Sequence, residues 1–357
     1  IIPTIKMLIE KEAKIIILSH IGRPKGKIVE GMSLEPISKK LSSLLNKEVL
    51  FNKKIINDIN ILDVNKIQSG SLLMLENIRF NQGEETNDIQ FSKKLSSLGD
   101  IYVNDAFSCS HRSHSSVDGI TKHIPSYFGL QITQEIQVLK KITSEIKKPV
   151  TLIIGGSKIS TKINVINNLA KKFNNIIIVG GMANTMLKHT GLNIGKSICE
   201  NDCKSLVKEI LNISQKFNCK ISCPVDAIVS KNIEGIGENK DVKNINNDEM
   251  ILDIGPKTIS MIKKIVNDSN TVLWNGPAGY FENPNFQNGT KELIEIISQK
   301  TLNDKIFSVA GGGETVAAIN KFKKLDSFTF VSTAGGAFLE YLEGKNLPGI
   351  KALNQNV

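Results

Sequence analysis

A loop in the middle of the chain carries two lysines between a glycine pair and a helical pattern. It spans residues 155–163 and reads Gly-Gly-Ser-Lys-Ile-Ser-Thr-Lys-Ile, with lysines at Lys158 and Lys162. An apolar segment precedes it, and apolar residues at helical spacing follow it. Glycines between a strand and a helix let backbone N–H groups approach a phosphate at the positive end of the helix. The loop therefore predicts a phosphate site to which the lysines add positive charge.

Glycine recurs where further predicted strands of the same half of the chain end. One glycine pair after a strand is weak evidence for nucleotide binding, but the accumulation favours it. The triplet 311–313 opens another helix, where Glu314 could hold Mg²⁺, because hard cations take carboxylate oxygens. An acidic residue in a first helical turn also has an ordinary explanation in the helix dipole. Neither G-x4-G-K-[ST] nor a complete G-x-G-x-x-G is present.

Arginine and histidine, rather than glycine, follow the predicted strands of the first half. Arginine's planar fork suits paired hydrogen bonds with carboxylate and phosphate, so converging arginines indicate a small, multiply charged anion. An electrostatic role for the histidines is favoured, because no serine or cysteine nucleophile is paired with them. Lone loop arginines are otherwise simply solvated. The residues concerned are Arg23, Arg79, Arg112, His20, His111 and His114.

One unit recurs along the chain: an apolar strand, a polar or glycine-rich loop and an amphipathic helix. This alternation predicts an α/β fold with parallel sheets covered on both sides, in which ligands bind beyond the carboxyl ends of the strands. A helical pattern at 129–147 is predicted to connect two lobes, and the polar segment 232–248 is predicted to be a hairpin or mobile loop. Strands are predicted at 14–18, 49–51, 72–75, 101–103, 151–154, 176–179, 220–222, 271–274, 306–309 and 328–331, and helices of the first lobe at 3–12, 34–46 and 88–98.

Composition bounds the function further. A length of 357 residues favours two domains, and a formal charge of +10 suits an anionic partner or substrate, although many lysines lie on solvated helix faces. The longest aliphatic run, 15–18, is too short to span a bilayer. Five cysteines, an odd number, indicate a reducing compartment. We therefore expect a soluble, cytoplasmic protein.

Eight segments together resemble the signatures of phosphoglycerate kinase, and they come in that family's order. They are residues 20–26, 75–80, 104–107, 111–112, 155–160, 274–279, 311–315 and 332–336. The resemblance covers essentially the whole chain. It implies a glycolytic phosphotransferase, a monomeric hinge enzyme of two doubly wound, Rossmann-like lobes, which moves a phosphoryl group between ATP and 3-phosphoglycerate with Mg²⁺. No nucleic-acid or membrane partner is expected.

The resemblance also implies where the lobes lie. Residues 1–127 would form the phosphoglycerate lobe, 128–148 the interdomain helix and 149–331 the nucleotide lobe. Residues 332–357 would return to the first lobe.

Site residues follow from the same resemblance. Lys158, Gly312 and Gly313 would serve the transferred phosphoryl group, and Glu314 would hold the metal, although the family usually has aspartate there. The phosphoglycerate would be bound by His20, Ile21, Gly22, Arg23, Arg79 and Arg112. The nucleotide would be bound by Gly155, Lys162, Gly181, Leu252, Asn275, Glu282, Gly312, Gly313, Glu314 and Thr315.

The chain begins Ile1-Ile2-Pro3, so we expect that it is incomplete at its N-terminus. The resemblance implies a missing first strand with an Arg-Val-Asp-Phe-Asn substrate loop and a catalytic arginine. An inactive chain with an active parent is therefore one alternative.

Two other functional classes stay open on the residues alone. A dinucleotide-dependent dehydrogenase also uses strand–glycine–helix units, but the full glycine fingerprint is lacking. A basic protein that binds anions or nucleic acid without catalysis would rest on the charge, but aromatic residues, at 5%, are few for a stacking platform.

Overall fold

The computed structural model describes residues 1–60, 64, 66–304 and 306–354. The chain divides into two compact units. The first unit comprises Ile1–Ile136 and Asn346–Val357, and the second comprises Gln137–Lys345. The lobe boundaries expected from the sequence differ from these and stay predictions.

The first unit contains parallel strands and helices in alternation. Its described strands pair in the orders β1-β3-β2 and β4-β5. Helix α5 begins in the first unit and continues into the second. The elements are α1 (Ile2–Glu10), β1 (Ile15–Ile17), α2 (Glu35–Leu45), β2 (Val49–Asn52), β3 (Leu72–Leu75), α3 (Gln82–Glu85), α4 (Ile89–Ser96), β4 (Tyr102–Asn104), β5 (Ser126–Phe128) and α5 (Leu130–Thr143).

Strand β3 shows how helices come to cover both faces of the first sheet. All of its residues are buried. Leu72 and Met74 pack in one apolar cluster with helices α1 and α2, whereas Leu73 and Leu75 pack in another with helix α4. Because side chains alternate along a strand, an all-apolar strand needs a partner on each face.

The second unit is built on a parallel sheet with an antiparallel sheet beside it. Its elements are β6 (Val150–Ile154), α6 (Ile163–Ala170), β7 (Asn175–Ile178), α7 (Gly180–His189), α8 (Lys204–Phe217), β8 (Lys220–Ser222), β9 (Asp226–Ser230), β10 (Glu238–Asp241), β11 (Met250–Ile254), α9 (Pro256–Asn267), β12 (Thr271–Asn275), α10 (Asn288–Asp304), β13 (Phe307–Gly311), α11 (Gly313–Lys321), β14 (Phe330–Ser332) and α12 (Gly336–Leu342). Helix α13 (Pro348–Asn354) belongs to the first unit. Short 3-10 helices lie at Glu30–Met32, Ile56–Asp58, Ile78–Phe80, Phe107–Cys109, Gly119–Lys122, Val242–Asn244, Pro284–Phe286 and Leu325–Ser327.

The order of the strands in the parallel sheet indicates where a ligand would bind. Its described strands run β14-β13-β12-β6-β7-β8, all parallel. From β6 the chain builds outward through β7 and β8, and it later returns to the other side of β6 with β12. Strand order therefore reverses between β6 and β12, where Ile154 lies opposite Asn275. Ligands bind at such switch points in open α/β sheets.

The core of this sheet is centred on Trp274 of β12. Its side chain is fully buried, its ring stacks on Phe328 with centroids 6.2 Å apart, and its indole N–H donates to the Gly276 carbonyl over 2.8 Å. The last contact ties the apolar core to the loop that follows β12. Core packing thus determines where the strand-end loop begins.

One part of the fold departs from the expected parallel sheets. Strands β9, β10 and β11 form an antiparallel sheet in the order β10-β9-β11. Of the two alternatives predicted for 232–248, a hairpin or a mobile loop, the structure shows the hairpin, because β10 returns along β9 with Asp241 opposite Asp226. The sequence pattern misses β10 because that strand reads Glu-Asn-Lys-Asp and has no apolar alternation. Among the described residues, no helix combines the length and apolarity needed to cross a membrane.

The side chain of Asp105 caps the start of helix α5, and Asp105 belongs to one of the eight family-like segments. Its Oδ1 accepts the Gln131 N–H over 2.8 Å and the Ile132 N–H over 3.2 Å. Without this carboxylate, the N–H groups of Gln131 and Ile132 lose their hydrogen bonds to Asp105. We expect Asp105→Ala to lower the free energy of unfolding by about 1 kcal/mol. Urea unfolding followed by circular dichroism measures the loss, exposed Asp100→Ala is the control, and equal stability of the two variants would contradict the capping role.

Candidate functional site

Two strand ends of the second unit meet through glycine backbone. Gly155 follows β6 and Gly276 follows β12, and the Gly155 N–H donates to the Asn275 carbonyl over 2.8 Å. A Cβ on Gly276, whose φ is +108°, would lie 2.4 Å from the Gly155 carbonyl oxygen. Because no side chain fits between the two loops, both positions require glycine.

A pocket of about 320 Å³ opens beside this contact. It is lined by helix α7, the antiparallel sheet and the loop after β12, and much of the lining is apolar. Four residues that the resemblance assigned to the nucleotide line it: Gly181, Leu252, Glu282 and Glu314. A concave apolar pocket with few polar groups is the usual form of a small-molecule site.

Lys162 reaches the backbone frame next to the pocket. Its ammonium donates to the Gly155 carbonyl and, over 2.5 Å, to Oδ1 of Asn275. Burial lowers the pKa of Lys162 to about 8, while the charge of Glu314 acts in the opposite direction. A phosphate at this place would raise the pKa of the lysine again. Lys158 is exposed on the same loop, so the structure gives the two lysines different environments.

The glycine triplet joins the same frame from strand β13. The Asn275 amide donates to the Gly311 carbonyl over 2.6 Å, and the Gly276 N–H donates to the Thr315 hydroxyl oxygen over 2.7 Å. Gly312 has a φ of +98°, and a Cβ there would lie 2.5 Å from the Asn275 amide nitrogen. Among the described residues, no side chain caps helix α11, which begins at Gly313. Its first N–H groups are therefore available to an anion.

Glu314 is the residue that fits Mg²⁺. It is exposed in the first turn of α11 and lines the pocket. Within the described ranges, no group of three or more His, Cys, Asp or Glu side chains could enclose a metal ion. Mg²⁺ in nucleotide sites is commonly held by one or two carboxylates together with phosphates and water. The single exposed carboxylate of Glu314 at the pocket is compatible with that pattern.

The first unit carries a basic cluster, which we define as His20, Arg79, Arg112 and His114. Arg79 is buried, at 5% exposure, and its Nη1 donates to the Gly22 carbonyl over 2.8 Å. The charges of Arg79 and Arg112 act on both histidines, which shows that the sequence-predicted residues come together. Of the other predicted residues, Ile21, Gly22 and Arg23 are exposed on the loop after β1.

The 75–80 segment holds this loop in place. Asn77 is fully buried, and its amide donates to the carbonyls of Ile21 and Met32, each over 2.9 Å. The Glu76 carboxylate accepts the Leu34 N–H over 2.8 Å. The segment therefore does more than supply Arg79, because it also orients the loop that carries His20.

Both histidines of the basic cluster favour the neutral form. Burial, followed by the positive charges of Arg79, His114 and Arg112, lowers the pKa of His20 to about 4, although the charge of Glu85 opposes the shift. The pKa of His114 is lowered by burial and then by the same two arginines. Cations crowded this closely create a strong preference for an anionic ligand.

Comparison with known proteins agrees with this geometry. The family model of phosphoglycerate kinase matches residues 1–345. The chain belongs to the phosphoglycerate kinase family. Phosphoglycerate kinase of Chelativorans sp. (strain BNC1) is 44% identical over 355 residues, which cover 99% of this chain and 89% of that protein. The phosphoglycerate kinase of Orientia tsutsugamushi (strain Ikeda) is 45% identical over 360 residues, covering 100% of this chain and 88% of that protein.

Solved structures of the family share the fold. Phosphoglycerate kinase from Coxiella burnetii matches with a TM-score of 0.90 and 38% identity, covering 99% of this chain and 89% of that one. The enzyme from Pyrococcus horikoshii OT3 matches with a TM-score of 0.85 and 30% identity at the same coverage. The resemblance drawn from eight segments and the α/β fold class are both confirmed. Among the functional classes left open by the residues, family membership favours the kinase.

Sequence reasoning missed three acidic side chains near these sites. Asp253 lines the pocket, and its carboxylate accepts the Gly289 N–H over 2.6 Å. Burial raises the pKa of Asp253 to about 7. Burial also raises the pKa of Glu84, which accepts the Ser116 hydroxyl over 2.6 Å. Glu85 lies 3.6 Å from Nε of Arg79. Their positions in the sequence could have indicated them, since Asp253 lies near a strand end and the two glutamates follow the 75–80 segment.

The low pKa of His20 has a consequence for stability in acid. Between pH 6.5 and about 4 the unfolded chain binds a proton on His20 that the folded protein does not. The free energy of unfolding should therefore fall as the pH drops through this window. We expect His20→Gln to flatten that part of the profile and exposed His123→Gln to leave it unchanged. Urea unfolding across pH measures the slope, and an NMR titration of His20 near 6.5 would contradict the assignment.

Proposed function

We propose that this chain transfers a phosphoryl group reversibly between ATP and 3-phosphoglycerate, with the nucleotide bound by the second unit and the phosphoglycerate by the first. The observation that carries the proposal is the apolar pocket lined in part by glycine backbone, with Lys162 held on the strand-end loops beside it. Family membership supplies the identity of the reaction, and the basic cluster supplies a place for the acidic substrate.

The pocket suits a nucleotide along its length. Its apolar walls can take the base, and Glu282 can accept hydrogen bonds from a ribose. The phosphates would then reach the N-terminus of α7, the first amides of α11 and Lys162. Glu314 would hold Mg²⁺, and the ion when bound would neutralise charge on the phosphates.

The basic cluster suits 3-phosphoglycerate, which carries a carboxylate and a phosphate. Arg79 offers guanidinium N–H groups from a buried position, and such groups bind both anions in paired hydrogen bonds. His20 and His114, neutral in the free cluster, would take up positive character only once an anion is present. In the absence of ligand, the two arginines would then be the charged groups of the cluster, and the histidines would not add to the repulsion between them.

The chemistry needs positioning more than proton transfer. A carboxylate acceptor, with an ordinary pKa of about 3.5 to 4, is ionised at neutral pH and needs no general base. Lys158 and the amides at Gly312 and Gly313 would stabilise the negative charge of the phosphoryl group in the transition state of its transfer. For in-line transfer the two units must bring their ligands together, so we propose closure about a hinge that excludes water.

We further propose a cytoplasmic monomer. The free state of all five cysteines supports a reducing compartment. Binding of nucleic acid is not part of the proposal, since the positive groups described here serve two small anionic substrates.

Lys158 provides the first test of the proposed reaction. In a coupled assay with ATP and 3-phosphoglycerate, we expect Lys158→Ala to lower kcat by about 100-fold or more, because it removes charge stabilisation from the transition state. The dissociation constant for ADP should change by less than about fivefold, since ground-state contacts are largely retained. Exposed Lys208→Ala on α8 is the matched control. Turnover by Lys158→Ala like that of the unsubstituted chain would contradict the role, and no turnover by the unsubstituted chain would contradict activity of the chain itself.

Lys162 gives a prediction in pH. Its pKa is about 8 in the free protein, and a bound phosphate should raise it. Above pH 8, ADP binding must therefore take up a proton, and the affinity should fall by about tenfold per pH unit until the pKa of the complex is reached. Titration calorimetry in buffers of different ionisation enthalpy measures the uptake, which Lys162→Met should abolish. Proton uptake that persists in Lys162→Met would assign the effect to another group.

A further inference from the structure

Arg79 is a buried cation with unfilled hydrogen-bonding capacity. A guanidinium has five N–H donors, and here Nη1 donates to the Gly22 carbonyl over 2.8 Å. Within the described residues, Nε is buried without a hydrogen-bond acceptor. The nearest carboxylate oxygen, Oε1 of Glu85, lies 3.6 Å from Nε, which is beyond hydrogen-bond distance. The group therefore has an ion pair but not the close contact that a guanidinium can make.

Glu85 supplies the negative charge of this ion pair, and its partly exposed side chain can also move away from Arg79 into water. It ends helix α3, and its side chain is 34% exposed. In the part of the chain that the structure describes, the carboxylate makes only this long contact. Glu84, its neighbour, is held firmly instead, because its carboxylate accepts both the N–H and the hydroxyl of Ser116. Two adjacent carboxylates thus differ, one fixed in the protein and the other free to move into water.

The surroundings of Glu85 are those expected for a ligand anion. Its charge opposes the effects of Arg79 and Arg112 on the pKa values of His20 and His114, so its electrostatic influence extends beyond Arg79 to both histidines of the basic cluster. A carboxylate is also one of the two anionic groups of 3-phosphoglycerate. Glu85 therefore occupies, by charge and by chemical type, the role that the substrate would take.

We propose that Glu85 is a displaceable counter-ion of Arg79, which neutralises it in the empty site and sets how strongly an anion must bind to replace it. The inference rests on the proposed function for the identity of the natural ligand, though not for the contact itself. A multiply charged anion can form paired hydrogen bonds near 2.8 Å with the guanidinium, which a carboxylate held at 3.6 Å does not. Singly charged anions gain less from the exchange and are selected against. Glu85 thus sets the affinity of the basic cluster for an anionic acceptor.

Glu85→Gln removes the competing charge at nearly constant shape. We expect it to tighten binding of 3-phosphoglycerate and of inorganic sulfate about three- to fivefold in titration calorimetry, since a partly exposed ion pair contributes a free energy that corresponds to a factor of this size. Binding of a monoanion such as acetate should gain at least as much, so selectivity for the multiply charged ligand should not rise. Exposed Glu48→Gln has the same change in net charge and should leave all three affinities unchanged. Glu85→Asp, which retains the charge, should behave more like the unsubstituted chain than Glu85→Gln does.

The outcomes separate the inference from the proposed function. Unchanged or weaker binding of sulfate and 3-phosphoglycerate by Glu85→Gln, with ADP binding and thermal unfolding intact, would overturn the counter-ion and would instead make Glu85 an orienting residue or a bystander. Tighter sulfate binding in a chain that does not bind 3-phosphoglycerate would support the counter-ion while overturning the proposed function. Tighter binding of both ligands supports both.

Discussion

The close approach of backbone at Gly155 and Gly276 is the constraint on which the second unit depends. Strands β6 and β12 are neighbours in the sheet although more than a hundred residues separate them in the chain. With glycine at both positions, the loops after these strands touch through peptide groups. That contact places the Asn275 side chain between Lys162 and the glycine triplet, and it leaves room for the pocket beside it. A side chain at either glycine would force the strand ends apart and disperse these groups.

Under the proposed function, the two units would bind anions in different ways. The second unit would use helix dipoles and the half-buried Lys162, whose pKa is lowered by burial. The first unit would use full charges, with Arg79 buried beside histidines whose pKa values are lowered. In both units the anion itself would complete the electrostatics, because a desolvated cation is stabilised most by a partner of opposite charge. The empty state is thus less stable locally than the state with ligand, which is a general property of preorganised sites.

Much of the fold could be predicted because its signals are local. A short run of apolar and β-branched residues such as Val150–Ile154 indicates a buried strand, and a glycine pair after it marks the loop. The same reasoning located the other strands of the parallel sheet to within about two residues, since helices and strands alternate regularly. It did not predict β5, β9, β10 or β11. The polar residues of β10 form a strand because β9 offers a partner for their backbone. Sequence reasoning also failed for Asp253, Glu84 and Glu85, because the environment of a carboxylate depends on residues far away in the chain.

By itself, the sequence determined the positions of the strands of the parallel sheet along the chain, the residue types at their ends and the membership of a family, since all three are properties of short segments read in order. Only the tertiary structure decided which of two similar residues does what. Lys158 and Lys162 share one loop, but only Lys162 is turned into the backbone frame. Glu84 and Glu85 are adjacent, but one is fixed by Ser116 and the other faces Arg79. The reason is that burial and charge arise from contacts between distant segments, and those contacts exist only after the chain has folded.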